Sequence, residues 1–183
     1  MLKLALYGLS GAGKSTTANM FHAVLSENMK NAVTLKLAQP LYELQSMYYR
    51  IAGKPIVWNQ QDQQLLETIA ASLRNISMTS LVDDLEKRME MIHADVILND
   101  DIRDTDVDYP AMKKMGFAFI HIICDENTRV QRLMDRHDLS KIVQSKTTEY
   151  INNIKSDFTI DTTLTDMESL RLKVIDVLVN FAP

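Results

Sequence analysis

The stretch GLSGAGKST, residues 8–16, follows directly on the apolar run LKLALY (2–7). Its spacing is G-x-x-x-x-G-K-S, from Gly8 through Gly13 and Lys14 to Ser15. Glycines at such positions let backbone N–H groups close around a polyphosphate that a Cβ would obstruct. The lysine ammonium reaches the outer phosphates, and the serine hydroxyl can ligate Mg²⁺. After Lys14, the apolar residues Ala18, Phe21, Val24 and Leu25 fall at helical spacing. A buried strand, a glycine loop and a helix N-terminus in that order make an anion site, because the helix's free N–H groups and dipole face the ligand. Gly8, Ser10, Gly11, Ala12, Gly13, Lys14, Ser15 and Thr16 are therefore expected to hold ATP, with Mg²⁺ on Ser15.

That loop also constrains the fold, and the rest of the chain agrees with it. Strands are expected at 32–38, 94–100, 117–124 and 157–161, with helices between them. The helix opening at Pro40 should bury Leu41, Leu44, Tyr48 and Ile51. Two more helices are expected over 60–76 and 79–92, the second boxed by Ser80 and Asp83. Thr165 and Glu168 should cap a last helix reaching about Phe181. Strands alternating with helices imply an α/β fold, a doubly wound parallel sheet of about five strands covered on both faces. A chain of 183 residues suits a single domain. A helical acceptor-binding region is expected near 40–92, and a lid near 126–150.

Ligands of such sheets collect at the carboxyl ends of the strands. After the second strand stand Gln39 and Tyr42; after the third stand Asp100, Asp101 and Arg103. An acid beside a phosphate loop can hold Mg²⁺ or accept a proton from an attacking hydroxyl. Arg103 carries the rigid fork that grips phosphate. Arg50 and Arg74, in the helical region, join Gln39, Tyr42 and Arg103 on the acceptor side. Arg129, Arg132 and Arg136 stand at i, i+3 and i+7, on one face of a helix whose other face is Val130, Leu133 and Met134. They either form a solvated face or close over the triphosphate, with Lys141 and Lys146 extending the lid. The string DTDVD (104–108) opens like a calcium loop but has Tyr109 and Met115 where that loop needs Gly and Glu. An acidic turn capping the next helix is the expected reading.

Composition excludes several classes. The single cysteine, Cys124, rules out an intramolecular disulfide framework and reads as a strand residue. The four histidines show no ligand spacing, and His121 alternates within an apolar strand as a core residue. A net charge of −4 offers no general attraction to nucleic acid. No run approaches the ~18 apolar residues of a membrane span. A cytoplasmic setting is the expectation, with a small-molecule acceptor as partner and a homodimer also allowed.

The chain resembles the small phosphate-loop nucleotide kinases, most closely the deoxynucleoside monophosphate kinases of viral and bacterial type. The resemblance is carried by LAQPLYELQSMYY and VILNDDIRDTDVDYPAMKKMGFAFIHI, while CDENTRVQRLMDRHDLSKI with SDFTID is also similar to dephospho-coenzyme A kinase. It implies a magnesium-ATP phosphotransferase with Lys14 on the transferred phosphoryl, Ser15 on the metal, Asp101 near metal or acceptor, and Arg103 on the acceptor. Two positions depart from the family, Gln39 where Asp is usual and Tyr42 where Lys is usual. The acceptor is then a (deoxy)nucleoside monophosphate, or else a hydroxymethyl-pyrimidine nucleotide or another small alcohol. A nucleotide switch without phosphotransfer is the reading from a different class, although NIKSD (153–157) lacks the spacing of a guanine reader.

Overall fold

Five apolar segments become strands: β1 (Leu2–Tyr7), β2 (Ala32–Thr34), β3 (Val96–Asn99), β4 (Ala118–Ile123) and β5 (Phe158–Asp161). Among the described residues, seven helices accompany them: α1 (Lys14–Glu27), α2 (Gln39–Ile51), α3 (Gln63–Ile76), α4 (Ser80–Glu90), α5 (Asp108–Lys114), α6 (Glu126–Asp135) and α7 (Met167–Phe181). The computed structural model describes residues 1–54, 61–102, 104–135, 151 and 153–181. These form two compact units, Met1–Thr34 with His93–Pro183, and Leu35–Ile92.

The first unit is built on a parallel sheet ordered β2-β3-β1-β4-β5. Side chains alternate across it, as strand geometry requires. Leu4, Leu6, Leu98, Ile120 and Ile122 face one way and meet Phe21 and Val24 of α1 and Leu170, Val174 and Val177 of α7, all buried. On the opposite face the Phe119 ring meets Tyr109 of α5 edge-on, with centroids 4.7 Å apart. Lys3 there donates to the Met115 carbonyl at 2.7 Å. His121 stacks on Tyr7 with centroids 4.6 Å apart, and burial holds its imidazole below the ordinary range. The sheet is thus covered from both sides, and the doubly wound arrangement expected from the sequence is present.

Some boundaries differ from expectation. β2 stops at Thr34 rather than 38, because its register with β3 ends at the Thr34–Leu98 pair. Asp166, not Thr165, receives the Ser169 N–H at the start of α7, at 2.7 Å; the Thr165 hydroxyl donates to the Asp161 and Thr163 carbonyls instead. In the acidic turn before α5, Asp104 Oδ1 accepts the N–H groups of Asp106 and Val107. Asp108 is buried there, accepting the Asp104 N–H at 3.1 Å, so the turn is only partly solvated.

The second unit packs α2 against α3 and α3 against α4. Leu41, Leu66, Ile69, Leu81, Leu85 and Met89 are buried within it. Asp62 ties it together: its carboxylate accepts the Leu65 N–H at 3.0 Å and the Tyr49 hydroxyl at 2.9 Å, and these bonds hold its pKa low. Its own N–H donates to the buried Gln45 side chain at 2.8 Å. The α2 face is therefore Leu41 and Gln45, while Tyr48 and Ile51 are exposed, contrary to the expected stripe. A buried amide that satisfies a helix-start N–H displaced the apolar positions. At α4, Thr79 precedes the helix without a side-chain cap bond, and its hydroxyl donates to the Asp83 carboxylate at 2.8 Å, so the box expected from Ser80 and Asp83 does not form.

Candidate active site

The loop of residues 8–13 leaves the carboxyl end of β1 between its neighbours β3 and β4. It passes so close to β4 that a Cβ on Gly8 would lie 2.2 Å from the Ile122 carbonyl oxygen, and φ is +150°. Both facts reserve the position for glycine. Gly8→Ala is accordingly expected to lower stability by about 3 kcal/mol through backbone displacement and strain. Chemical denaturation measures it; an unchanged midpoint would refute the close approach. The loop closes with the Ala12 N–H on the Leu9 carbonyl at 3.1 Å, and α1 opens from Gly13.

Lys14 Nζ donates to the carbonyls of Gly8 (2.8 Å) and Leu9 (3.1 Å), which holds its charge at the loop. Ser15 Oγ donates to Asp100 Oδ2 at 3.3 Å. Sheet register explains that contact: Ala5 pairs with Asn99, so the residue after β3 emerges beside the loop after β1. Asp100 is buried. Asp101 turns elsewhere, its Oδ1 accepting from Asn99 Nδ2 at 2.7 Å while its N–H donates to Asn99 Oδ1 at 3.3 Å. The two acids thus have separate surroundings.

A magnesium ion takes hard oxygen ligands about 2.0–2.1 Å away at right angles, and usually keeps several waters. The hydroxyl of Ser15 and the carboxylate of Asp100, 3.3 Å apart, are suitable oxygens at a suitable separation. Ser15 and Asp100 would hold such an ion directly or through water.

The arginine face of α6 turns inward. Arg129 is buried, with Leu133 one turn on, while Met134 is exposed and Val130 half-buried. The expected split into an arginine face and an apolar face therefore does not hold: Leu133 is buried with Arg129, whose guanidinium finds fixed acceptors, while Met134 is exposed. Arg129 Nη1 donates to the Ser10 carbonyl at 3.1 Å and its other nitrogens to Glu126. Arg132 donates to the Thr162 hydroxyl at 3.1 Å, the Thr162 carbonyl at 2.8 Å and the Cys124 sulfur at 3.4 Å. Cys124 is half-buried just beyond β4. Arg132 also walls a cleft of about 200 Å³ with Gly13, Thr16, Thr162, Met167 and Leu170. Arg103 and Arg136, with Lys141 and Lys146, lie outside the described residues.

Gln39, Tyr42, Arg50 and Arg74 belong to the second unit. Gln39 Nε2 donates to Glu43 at 3.0 Å, the Tyr42 hydroxyl accepts from Gln61 at 3.4 Å, and Arg74 donates to the Met78 carbonyl at 3.5 Å. Arg50 is exposed in the last turn of α2.

One residue at the loop escaped the sequence reading. Thr162 is buried, and its hydroxyl donates to the Ala12 carbonyl at 2.7 Å while accepting from Arg132. It stands directly after β5, so the carboxyl-end rule applied to the last strand would have found it.

A phosphate loop fed by the central strand of a five-stranded parallel sheet, ordered 2-3-1-4-5, decides the architecture. This is a P-loop NTPase fold of the shikimate kinase type. No family model matches the chain, and no curated protein matches it. Solved structures do. A sugar kinase from a Janibacter species, in an unliganded structure, aligns with a TM-score of 0.52 at 14% identity, covering 100% of this chain and 96% of that one. Shikimate kinase from Acinetobacter baumannii, in complex with shikimate, gives 0.51 at 14% identity over 97% of this chain and 91% of that one. Shikimate kinase from Bacteroides thetaiotaomicron gives 0.51 at 13% identity, covering 98% and 97%. The likeness to deoxynucleoside monophosphate kinases rests on the sequence segments alone. Among the described residues, no helix is long and apolar enough to cross a membrane.

Proposed function

We propose that this chain transfers the γ-phosphoryl group of ATP to a small acceptor, with a (deoxy)nucleoside monophosphate as that acceptor. The observation that carries the reading is the conjunction at the phosphate loop: Lys14 held at the loop mouth by two carbonyls, and Ser15 in contact with the buried Asp100. When bound there, magnesium supplies charge neutralisation on the phosphates. The loop N–H groups and Lys14 do the same for the moving phosphoryl, which carries dispersed charge in a loose transition state. An acceptor oxygen bonds to the γ-phosphorus as the bond from that phosphorus to the β-bridging oxygen breaks, and ADP leaves.

The cleft beside the loop suits the base of ATP. Met167 and Leu170 give it apolar surface, and the Arg132 guanidinium, fixed on Thr162, gives a planar cation on which an aromatic base stacks. The acceptor contacts are those expected from the sequence, Gln39, Tyr42, Arg50, Arg74 and Arg103. A phosphate acceptor is already ionised and needs no strong base, which accords with Gln39 after the second strand. A second reading, a hydroxyl acceptor, draws support from the fold neighbours, which are named as sugar and shikimate kinases. Asp101 would then be the base.

Incubation with ATP and Mg²⁺ against ordinary and hydroxymethylated nucleotides, nucleosides, dephospho-coenzyme A, sugars and shikimate, read by mass, tests the reading. A gain of one phosphate on a nucleoside monophosphate is the expected result. Gain on alcohols alone would overturn the nucleotide assignment. Slow ATP loss that ignores every acceptor would favour a switch over a kinase.

A further inference from the structure

A phosphate loop binds only while its peptide N–H groups converge on one region. In a trans peptide the carbonyl points opposite to the N–H of the following residue. A group that grips a loop carbonyl from outside therefore aims the next N–H inward. Two such grips are present. Thr162 Oγ1 donates to the Ala12 carbonyl at 2.7 Å and, itself held by Arg132, orients the Gly13 N–H. Arg129 Nη1 donates to the Ser10 carbonyl at 3.1 Å and orients the Gly11 N–H.

The second grip is tightly built. Arg129 is only 7% exposed. Its Nε and Nη2 both donate to the Glu126 carboxylate three residues earlier, at 2.9 and 2.5 Å, so the guanidinium plane is fixed from behind. Those bonds hold the Glu126 carboxyl below its usual range, which keeps the clamp charged. The loop has no slack against it: a Cβ on Gly11 would lie 2.9 Å from the Arg129 carbonyl oxygen and 3.0 Å from its Cγ. By trans-peptide geometry, an arginine that caps the Ser10 carbonyl lies opposite the Gly11 N–H that would meet a phosphate.

We propose that Arg129, clamped by Glu126, is a positioning residue that sets the Ser10–Gly11 peptide for phosphate binding without contacting the nucleotide. The inference rests on the reading of the loop as a triphosphate site. It separates phosphate affinity, which depends on the orientation of the loop peptides, from base affinity, which depends on the cleft walled by Arg132.

Calorimetric titration of inorganic tripolyphosphate, and separately of adenosine, tests this on the whole chain, with thermal denaturation alongside. Arg129→Met should bind tripolyphosphate about tenfold more weakly, the scale of one charge-assisted hydrogen bond, with adenosine affinity unchanged. Arg129→Lys should be nearly as weak, since one ammonium cannot span carboxylate and carbonyl in the arginine's fork geometry. Glu126→Ala, at a largely exposed side chain, should lose about threefold, because Arg129 stays but is no longer fixed. If Arg129→Met fails to fold, the other two variants decide. Wild-type tripolyphosphate affinity in both of them would overturn the proposal, and so would parallel losses for tripolyphosphate and adenosine, the mark of a merely structural role. A wild-type chain that binds neither tripolyphosphate nor ATP would overturn the triphosphate reading itself.

Discussion

Lys14→Ala is expected to lower the rate of phosphoryl transfer by about a thousandfold, the scale of removing one preorganised charge from a developing transition state. The effect should lie mainly in kcat, because the loop N–H groups and the base cleft still hold ATP. Stability should fall by no more than about 1 kcal/mol, since the bonds from Nζ to the Gly8 and Leu9 carbonyls are partly solvated and the carbonyls can turn to water. Lys14→Arg should not restore the rate: a planar fork cannot occupy the space of a compact ammonium held between two carbonyls. Steady-state kinetics with calorimetric ATP binding distinguish the outcomes. A folded Lys14→Ala protein at wild-type turnover would remove the loop from the chemistry.

The architecture was legible because its two central strands announced themselves twice, by apolar content and by what followed them. LKLALY ends in a glycine loop and VILN ends in two acids, and both signals come from the same physical rule about strand ends. What the sequence could not show was which neighbour a polar group would choose. Asp100 and Asp101 look equivalent in one dimension. They separate only because the β1–β3 register brings the first to Ser15, while an Asn99 side chain two residues back catches the second. The α6 arginines were hidden for a similar reason. Their spacing marks a common face, but spacing does not say whether a face meets water or a row of loop carbonyls, and an arginine with fixed acceptors can be buried. Gln45 is the same lesson in the helical unit, a polar side chain buried because the Asp62 N–H needed an acceptor.

The separation of the two acids makes the acceptor question testable by substitution. Asp100→Asn is expected to cost about a hundredfold in rate, with much of it recovered by raising Mg²⁺, because on the proposed reading the carboxylate in contact with Ser15 would serve metal affinity. Asp101→Asn carries the discrimination. If the acceptor is a nucleoside monophosphate, its phosphate oxygen arrives ionised, no proton need be taken up, and the variant should lose less than about tenfold. If the acceptor is an alcohol, its proton must go to a carboxylate as the oxygen bonds to phosphorus. The loss should then approach about a thousandfold, resist added Mg²⁺, and erase the acidic limb of the pH–rate profile. A mild loss at Asp101 together with a magnesium-sensitive loss at Asp100 is therefore the expected pattern. An Asp101→Asn protein that is nearly dead at every Mg²⁺ concentration, with only alcohols gaining phosphate in the wild type, would reverse the assignment and make Asp101 the base of a hydroxyl kinase.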